Sequence, residues 1–405
     1  MTLAQQTPEA PPAEVLLGRP TFAGDLREAA SFVRGRRVLL TGAAGSVGTP
    51  LAHLLASAGP ERLVLLDHHE YSLFNLERSL GASASARYEL ADIRDRARME
   101  RVFEDHAPHI VLHLAAAKHV PYGERFPEGA IGANVLATNA LLQMADRAEV
   151  GTLVYPSSDK SVQPPSVYGA TKRIAEALVQ AAAGAQRAWS VVRYVNIIGT
   201  RGSVVETFTQ QIVEARPLSV TDERMTRYWI SMDEAVWSML IAARGAAPGS
   251  VVETFTQQIL HERPLTVTDE RMTRYWISMD EAVWSMLIAA QGAAPGSLVM
   301  PDCGEPIPLL QTARRLAGWY RPSQDPYPIV CTGIRPGERL HEVLLSHSES
   351  FGTGPAAGVR LVQTSRDSRA LDVLPQLMER LQSQASTGDR QALATTVREA
   401  ADGLQ

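Results

Sequence analysis

The chain has 405 residues, a formal net charge of −5 and a sequence pI of about 6.1, so it presents no overall basic field for nucleic acid. Its 45% apolar content is that of a soluble globular enzyme, and its length leaves room for two domains. The two cysteines, Cys303 and Cys331, supply neither a disulfide framework nor a clustered metal site, and no apolar run reaches the ~20 residues that span a bilayer. A cytoplasmic protein with no metal and no membrane span is the expectation.

Met1–Glu14 is rich in Pro, Ala and Gln, lacks a secretory apolar region and reads as a disordered tail. Leu16 to Pro20 and a helix over Asp25–Val33 lead to the first strong signal. Arg37–Leu40 is a strand, followed by Gly42, Gly45, Ser46, Val47 and Gly48 and a helix through Leu55. Such glycines permit a tight turn, close backbone approach to a pyrophosphate and close helix-to-strand packing, with the helix N-terminus facing the phosphates. Alone the pattern is also that of an ordinary glycine-rich turn; its place between strand and helix favours the dinucleotide reading. Leu63–Asp67 is a second buried strand, and Asp67 stands where a ribose-binding acid belongs, which favours NAD over NADP. A strand-end turn Asp is the competing reading. His68 and His69 read as surface residues.

Further βα units follow. Arg87–Asp92 is a strand with Asp92 and Ile93 placed to touch adenine, Met99–Phe103 is helical, and Ile110–Ala115 is the next buried strand. Ala115 and Ala116 would admit a nicotinamide closely, and Lys118 is either a sugar or phosphate contact or a solvated loop lysine. Gly132–Arg147 is an amphipathic helix. Strands alternating with helices imply a right-handed, doubly wound parallel sheet of Rossmann type.

The chemistry concentrates in the strand Gly151–Tyr155, the segment carrying Ser158, Asp159 and Lys160, and a helix from Tyr168 to Gln180. Tyr168 and Lys172, four residues apart, project from one helix face. An ammonium beside a phenol favours phenolate, and a phenol of pKa ~10 needs that help to act as a base near neutrality. Asp159 and Lys160 add an acid/base pair that simple dehydrogenation does not need. After the strand Ser190–Tyr194, Asn196 and Arg201 lie at another carboxyl edge, as substrate contacts or as a capped turn. Further on, Arg335 suits bidentate phosphate recognition and Glu338 could accept from a ribose hydroxyl, unless both belong to a charged loop. The stretch from Asp367 to Gln405 reads as helical.

Ser203–Gly249 and Ser250–Gly296 are almost the same 47 residues twice, differing only at Val213/Leu260, Glu214/His261, Ala215/Glu262, Ser219/Thr266 and Arg244/Gln291. Each copy reads helix, strand, strand, helix. Two copies are too few for a solenoid, so one is expected to fill the native place and the other to loop out. The expected organisation is a tail and lead-in over 1–35, an NAD(P)-binding Rossmann domain over 36–202, the repeated segment over 203–296, the rest of a smaller α/β substrate-binding domain over 297–350, and a helical tail over 351–405.

Taken together, Ser-Ser-Asp-Lys before Tyr-Gly-Ala-Thr-Lys, Lys-His-Val-Pro, Thr-Arg-Gly-Ser-Val-Val, Met-Thr-Arg-Tyr-Trp-Ile and Gly-Ile-Arg-Pro-Gly-Glu-Arg-Leu resemble one family. It is the nucleotide-sugar 4,6-dehydratases of the CapD-like polysaccharide-biosynthesis type, within the extended short-chain dehydrogenases. The Leu-Leu-Gly-Arg-Pro lead-in looks like the cytoplasmic half of the membrane-anchored members, whereas Tyr168 looks like the soluble branch. The resemblance implies a UDP-N-acetylglucosamine 4,6-dehydratase that uses NAD, with NADP as the second choice, and assembles as a homo-oligomer. It implies that Tyr168, with Lys172 and Ser158, deprotonates the C4 hydroxyl, that Lys160 removes C5–H and that Asp159 protonates the departing C6 hydroxyl. It also places Arg227 or its repeat counterpart Arg274 at the substrate. Val195, Ser158 and Tyr122–Phe126 depart from the family pattern. A nucleotide-sugar 4-epimerase, which needs Tyr168 and Lys172 but not Asp159 and Lys160, and a catalytically inactive nucleotide-sugar binder are the competing readings.

Overall fold

In the computed structural model the described residues are 25–183, 187–197, 226–230, 265–266, 273–277, 279–292, 294–320, 329–330, 339–365 and 371–405. The unbroken apolar runs form its central strands, because parallel strands covered by helices on both faces must be apolar throughout. These are β1 (Arg37–Thr41) and β2 (Arg62–Asp67), then β4 (Ile110–His113), β5 (Thr152–Ser158) and β6 (Ala188–Tyr194); β3 (Ala86–Leu90), at the sheet's edge, carries Arg87 and Glu89 and is only partly buried. They run parallel in the order β6-β5-β4-β1-β2-β3, so the strand order reverses between β1 and β4. A crevice opens outside the carboxyl ends of the strands at such a reversal, which is where this fold type places ligands.

The intervening helices are α1 (Leu26–Ala30), α2 (Gly48–Ser57), α3 (Glu70–Leu80), α4 (Arg96–His106), α5 (Val120–Arg125), α6 (Pro127–Ile131), α7 (Thr138–Arg147) and α8 (Val167–Ala182). Two differences from the sequence reading matter. The expected strand to Ala115 stops at His113, because the Leu114 and Ala115 amides turn to the backbone oxygen and hydroxyl of Thr41. The expected single helix over Gly132–Arg147 is preceded by α5 and α6, and a π-helical turn over Gly132–Ala137 joins α6 to α7. Apolar periodicity marks a helical face, but it does not register one extra residue per turn.

Beyond β6 come the short strands β7 (Asn196–Ile197), β8 (Thr226–Ile230), β9 (Leu265–Thr266) and β10 (Thr273–Ile277), then α9 (Met279–Gly292). They are followed by β11 (Leu298–Pro301), β12 (Ile307–Pro308), α10 (Leu309–Tyr320), β13 (Ile329–Val330), β14 (Glu349–Gly352) and β15 (Val359–Thr364). The expected boundary at 351 falls inside β14. Among the described residues, nine strands join the central sheet, with β11 parallel to β6 and β15 and β14 added antiparallel, one after the other. β11, from the stretch expected in the substrate domain, and β15, from the stretch expected to be a helical tail, therefore extend the nucleotide-binding sheet, with β14 across the boundary between the two. Strands of four to six residues carry little periodic signal in sequence.

The repeat meets the rest of the chain at matching places. β8 of the first copy and β10 of the second both pair with β7 and β12, with Asn196 opposite Trp229 and Trp276, and Ile307 opposite Arg227 and Arg274. The second copy's helix α9 lies on the sheet, where the Ser190 hydroxyl donates to the Ala289 carbonyl at 3.4 Å. The matching helix of the first copy lies outside the described residues, as do the N-terminal tail and the Leu16–Pro20 lead-in.

At the C-terminus α11 (Leu374–Thr387) and α12 (Arg390–Gly403) pack back on the domain, α12 along α8 and α6. Val167 to Val179 of α8 are all buried as a result. Among the described residues no helix is long and apolar enough to cross a membrane.

Candidate active site

At the carboxyl end of β1 the backbone turns at Gly42, whose φ is +67°. A Cβ there would lie 2.7 Å from the Ala115 amide nitrogen, and a Cβ on Gly48 would lie 2.1 Å from the Gly42 carbonyl oxygen. The turn through Gly45 is closed by the Gly45 amide donating to the Gly42 carbonyl at 3.0 Å. Ser46 and Val47 complete it, and no side chain caps the N-terminus of α2. Uncapped amides at the end of a ten-residue helix, beside a glycine turn that no side chain fills, make a cradle that fits a pyrophosphate.

Asp67 ends β2 and is 7% exposed. Its carboxylate accepts from the Ala44 amide at 3.1 Å and the His69 amide at 3.0 Å, which ties the glycine turn to the next strand. The turn after β3 is joined to it, since the Ala91 amide donates to the Asp67 carbonyl at 3.0 Å. That turn carries Ile93, buried, and Asp92, whose carboxyl is held below its usual range chiefly by the Arg94 guanidinium. On the other side of β1, Ala115 is half buried and Ala116 and Lys118 are exposed. Their loop is pinned by Asn134, which exchanges hydrogen bonds with Ala117 and donates to Thr171 on α8 at 3.0 Å.

β5 ends at Ser158 and runs into a single tight turn, Asp159–Ser161. Ser166 caps α8 by accepting from the Gly169 amide, and this sets Tyr168 in the first turn of the helix beside Ser158. Asp159 is fully buried. Its Oδ1 accepts from the Ser158 hydroxyl at 2.9 Å and from Lys160 Nζ at 3.0 Å. Lys160 also donates to Asn196 Oδ1 at 3.1 Å and lies 3.7 Å from Glu342 Oε1. Burial raises the Asp159 pKa, the Lys160 ammonium opposes that, and Glu342 adds to it. Burial likewise raises the Tyr168 phenol, with the Lys160 ammonium and the Ser158 hydroxyl pulling it back. Two buried atoms here, Asp159 Oδ2 and Asn196 Nδ2, have no hydrogen-bond partner among the described residues. A buried acceptor and a buried donor left in this way suit a polar ligand.

Lys172 is placed differently from the reading by helix spacing. Its Nζ donates to the Tyr155 hydroxyl at 3.0 Å and the Pro156 carbonyl at 2.9 Å, while the Lys160 ammonium is a charge that favours ionisation of Tyr168. Burial brings Lys172 down to about 7, and a buried ammonium turns to the acceptors within reach on β5. His113, also buried, falls to about 3 and is a neutral link between Thr41 and Thr138.

Behind the turn lies a buried network absent from the sequence reading. Ser161 donates to Glu176 at 2.6 Å, and Arg193 bridges Glu176 and Glu349 at 2.9 Å each. Arg173 joins the same two carboxylates at 3.1 and 3.2 Å. Arg339 donates to the carbonyls of Val162 and Gln163, so the segment that begins at Arg339 straps the turn in place. Arg201, Arg335 and Glu338 lie outside the described residues, and Arg227 and Arg274 are placed only as backbone in β8 and β10. One signal could have found the site sooner. Of the 39 Lys and Arg in the chain only Lys118, Lys160 and Lys172 are lysines, and two of these lie by the carboxyl end of β5, Lys160 in the turn that follows it and Lys172 against Tyr155 and Pro156. Arginine does not give up its proton in proteins, so a lysine at such positions marks a cation able to titrate.

The doubly wound sheet, glycine cradle and Tyr-x-x-x-Lys helix define a Rossmann-type protein of the extended short-chain dehydrogenase class. Residues 38–248 and 245–359 match the family model described as polysaccharide biosynthesis protein, the two stretches meeting where one copy of the repeat gives way to the next, and the chain belongs to that family. It is 33% identical over 342 residues to the probable polysaccharide biosynthesis protein EpsC of Bacillus subtilis, covering 83% of this chain and 49% of that one. The chain thus spans about half the length of such relatives. Over 208 residues it is 35% identical to a UDP-N-acetylglucosamine 4,6-dehydratase (inverting) of Campylobacter jejuni, covering 50% of this chain and 61% of that one. Among solved structures, a double mutant of the dTDP-glucose 4,6-dehydratase DesIV of Streptomyces venezuelae, with NAD bound, superposes with a TM-score of 0.57 at 20% identity, covering 76% of this chain and 88% of that one.

Proposed function

We propose that the chain carries an NAD-dependent nucleotide-sugar 4,6-dehydratase acting on UDP-N-acetylglucosamine or a close UDP-hexose. The observation that carries this reading is the buried Asp159, bonded to Lys160 at 3.0 Å beside Tyr168. A 4-epimerase has no use for such a pair, and an inert binder has no reason to bury it. The similarity to the Campylobacter dehydratase supports the same substrate class.

Gly42, Gly45, Ser46, Val47 and Gly48 would hold the NAD pyrophosphate, Asp67 the adenosine ribose, and Asp92 and Ile93 the adenine. The carboxylate of Asp67 would repel a 2′-phosphate, which favours NAD over NADP. Ala115 and Ala116 leave room for the nicotinamide near Tyr168 and Lys172. NAD held there would supply a hydride acceptor for sugar C4 and the hydride donor for C6. Lys118, Asn196, Arg201, Arg335, Glu338 and one of Arg227 and Arg274 are assigned to the UDP-sugar.

Tyr168 accepts the C4 hydroxyl proton, with Ser158 as its hydrogen-bond partner and Lys160 supplying the nearby positive charge. The resulting 4-ketone acidifies C5–H. Lys160 passes one proton to Asp159, whose burial favours the neutral acid, and becomes a free amine. The amine takes the C5 proton while Asp159 protonates the C6 hydroxyl, which leaves as water. Once hydride is back at C6, Lys160 returns a proton to C5 and recovers the one that Tyr168 took from the C4 hydroxyl; Tyr168, Lys160 and Asp159 end as they began, one water is lost, and the product is a 4-keto-6-deoxy sugar with no net oxidation.

The test is incubation with UDP-N-acetylglucosamine and NAD, followed by mass and NMR analysis of the product. Loss of one water is expected; an isomer of unchanged mass would mean epimerisation. Lys160→Ala should slow elimination by about 10²–10⁴ and, by removing the charge beside Tyr168, slow C4 oxidation to a lesser degree, so that reduced cofactor still accumulates; Tyr168→Phe should stop both. Elimination by Lys160→Ala at the wild-type rate would overturn the assignment.

A further inference from the structure

Glu342 lies in none of the roles assigned above, yet its side chain is 3% exposed and its Oε1 sits 3.7 Å from Lys160 Nζ. It comes from the strap that Arg339 fastens over Val162 and Gln163, a part of the chain more than 180 residues away in sequence from Lys160. We propose that Glu342 is a positioning residue of the acid–base centre, a second carboxylate that holds the Lys160 ammonium beside Asp159 and sets the proton affinity of both. The proposal rests on the dehydratase reading for its catalytic meaning, but its electrostatic content stands on geometry.

Lys160 Nζ is within 4 Å of Asp159 Oδ1, Asn196 Oδ1 and Glu342 Oε1. Glu342 thus adds a second buried carboxylate to the surroundings of that ammonium and of Asp159. That carboxylate's charge makes it harder to keep Asp159 ionised and harder to take the proton from Lys160. Among the described residues, the charged groups recorded against Glu342 include Lys160 and Asp159 from the catalytic turn and Arg339 from its own segment. Arg339 stays charged throughout and is bound to backbone carbonyls, so it is a constant background. Glu342 therefore loads the acid. It keeps Asp159 able to carry the proton that the C6 hydroxyl needs.

Removing the charge has a definite sign. In Glu342→Gln both Asp159 and Lys160 lose a negative neighbour, so both titrate at lower pH. The limb of the pH–rate profile that needs a neutral amine and the limb that needs a protonated acid move down together, by about 1–3 pH units for a charge at this range. A merely structural glutamate would lower kcat and leave the profile where it was.

The chain's three lysines allow a readout that does not depend on turnover. Reductive methylation with ¹³C-formaldehyde labels those amines and the N-terminus, and Lys160→Arg assigns the Lys160 signal. In Glu342→Gln the Lys160 midpoint should fall, and in Glu342→Asp, which keeps the charge, it should stay near wild type with a partly restored rate. A Glu342→Gln protein whose Lys160 midpoint and pH profile are both unmoved overturns the proposal; should that variant not fold, a Glu342→Asp protein that folds but titrates Lys160 at lower pH does so. A wild-type protein whose Lys160 midpoint falls on Glu342→Gln but that releases no water from the sugar would sink the dehydratase reading and leave this one standing.

Discussion

Glu349→Gln tests whether the buried ion network behind the catalytic turn is needed to hold the fold. Glu349 has a side chain 2% exposed and meets Arg193 Nη1 at 2.9 Å, Arg193 Nη2 at 3.0 Å, Arg173 Nη1 at 3.2 Å and the Ser346 amide at 2.9 Å. Desolvation pushes its carboxyl up, but the Arg193 hydrogen bonds and charge outweigh that and bring it from the ordinary 4.5 to about 2. A folded-state depression of that size corresponds to about 3 kcal/mol. This stability is fully present above the unfolded carboxylate's pKa and is lost as pH falls through about 2. Glutamine keeps the shape and removes the charge, leaving two buried guanidinium groups to one remaining carboxylate, Glu176. Breaking a buried pair from one side costs about 3–5 kcal/mol. Urea unfolding at pH 7 should show a loss of that order. The same measurement repeated toward pH 3 should show the gap between wild type and variant closing, because below about 4.5 the unfolded wild-type Glu349 takes up a proton, which the variant's glutamine cannot do. A gap that stays constant over that range would mean that Glu349 does not hold the charge in the folded protein. The ion-network account would then be wrong.

Two further outcomes follow from the geometry. Gly48→Ala places a Cβ 2.1 Å from the Gly42 carbonyl oxygen and 2.7 Å from the Ala43 carbonyl oxygen, both backbone atoms, so the glycine turn must deform. Overpacking of this kind costs about 1–3 kcal/mol, and NAD binding followed by titration should be lost before far-UV circular dichroism changes; wild-type affinity would refute the cradle. Deleting Ser250–Gly296 should leave a folded protein at least as stable as the full chain, since β8 already pairs with β7 and β12 in the register that β10 uses. Closing a loop lengthened by one copy costs only ~0.6 kcal/mol per doubling, so the surplus copy is tolerated rather than required. Urea unfolding of the deletion variant decides it, and a variant that cannot fold would make the second copy an integral layer.

The doubly wound sheet was legible from residue order alone. Runs such as Val38-Leu39-Leu40 and Leu63-Val64-Leu65-Leu66 can be buried on both faces only inside a parallel sheet, and Gly42, Gly45 and Gly48 between strand and helix leave one kind of turn available. Ser158, Asp159, Lys160 and Tyr168 were legible for the same reason: they are neighbours in sequence, at the end of one strand and the start of the next helix. Sequence could not decide which acceptors the Lys172 ammonium takes. Helix spacing puts Lys172 on the face of Tyr168, but a buried ammonium goes to the nearest acceptors, and these are Tyr155 and Pro156 on β5. Nor could it join Lys160 to Asn196 and Glu342, or Ser161 to Glu176, Arg193 and Glu349, because those partners arrive from other elements. Local pattern fixes what a short segment becomes. The partner of a buried charge is fixed only when tertiary folding removes water and leaves each charge to the groups within about 4 Å.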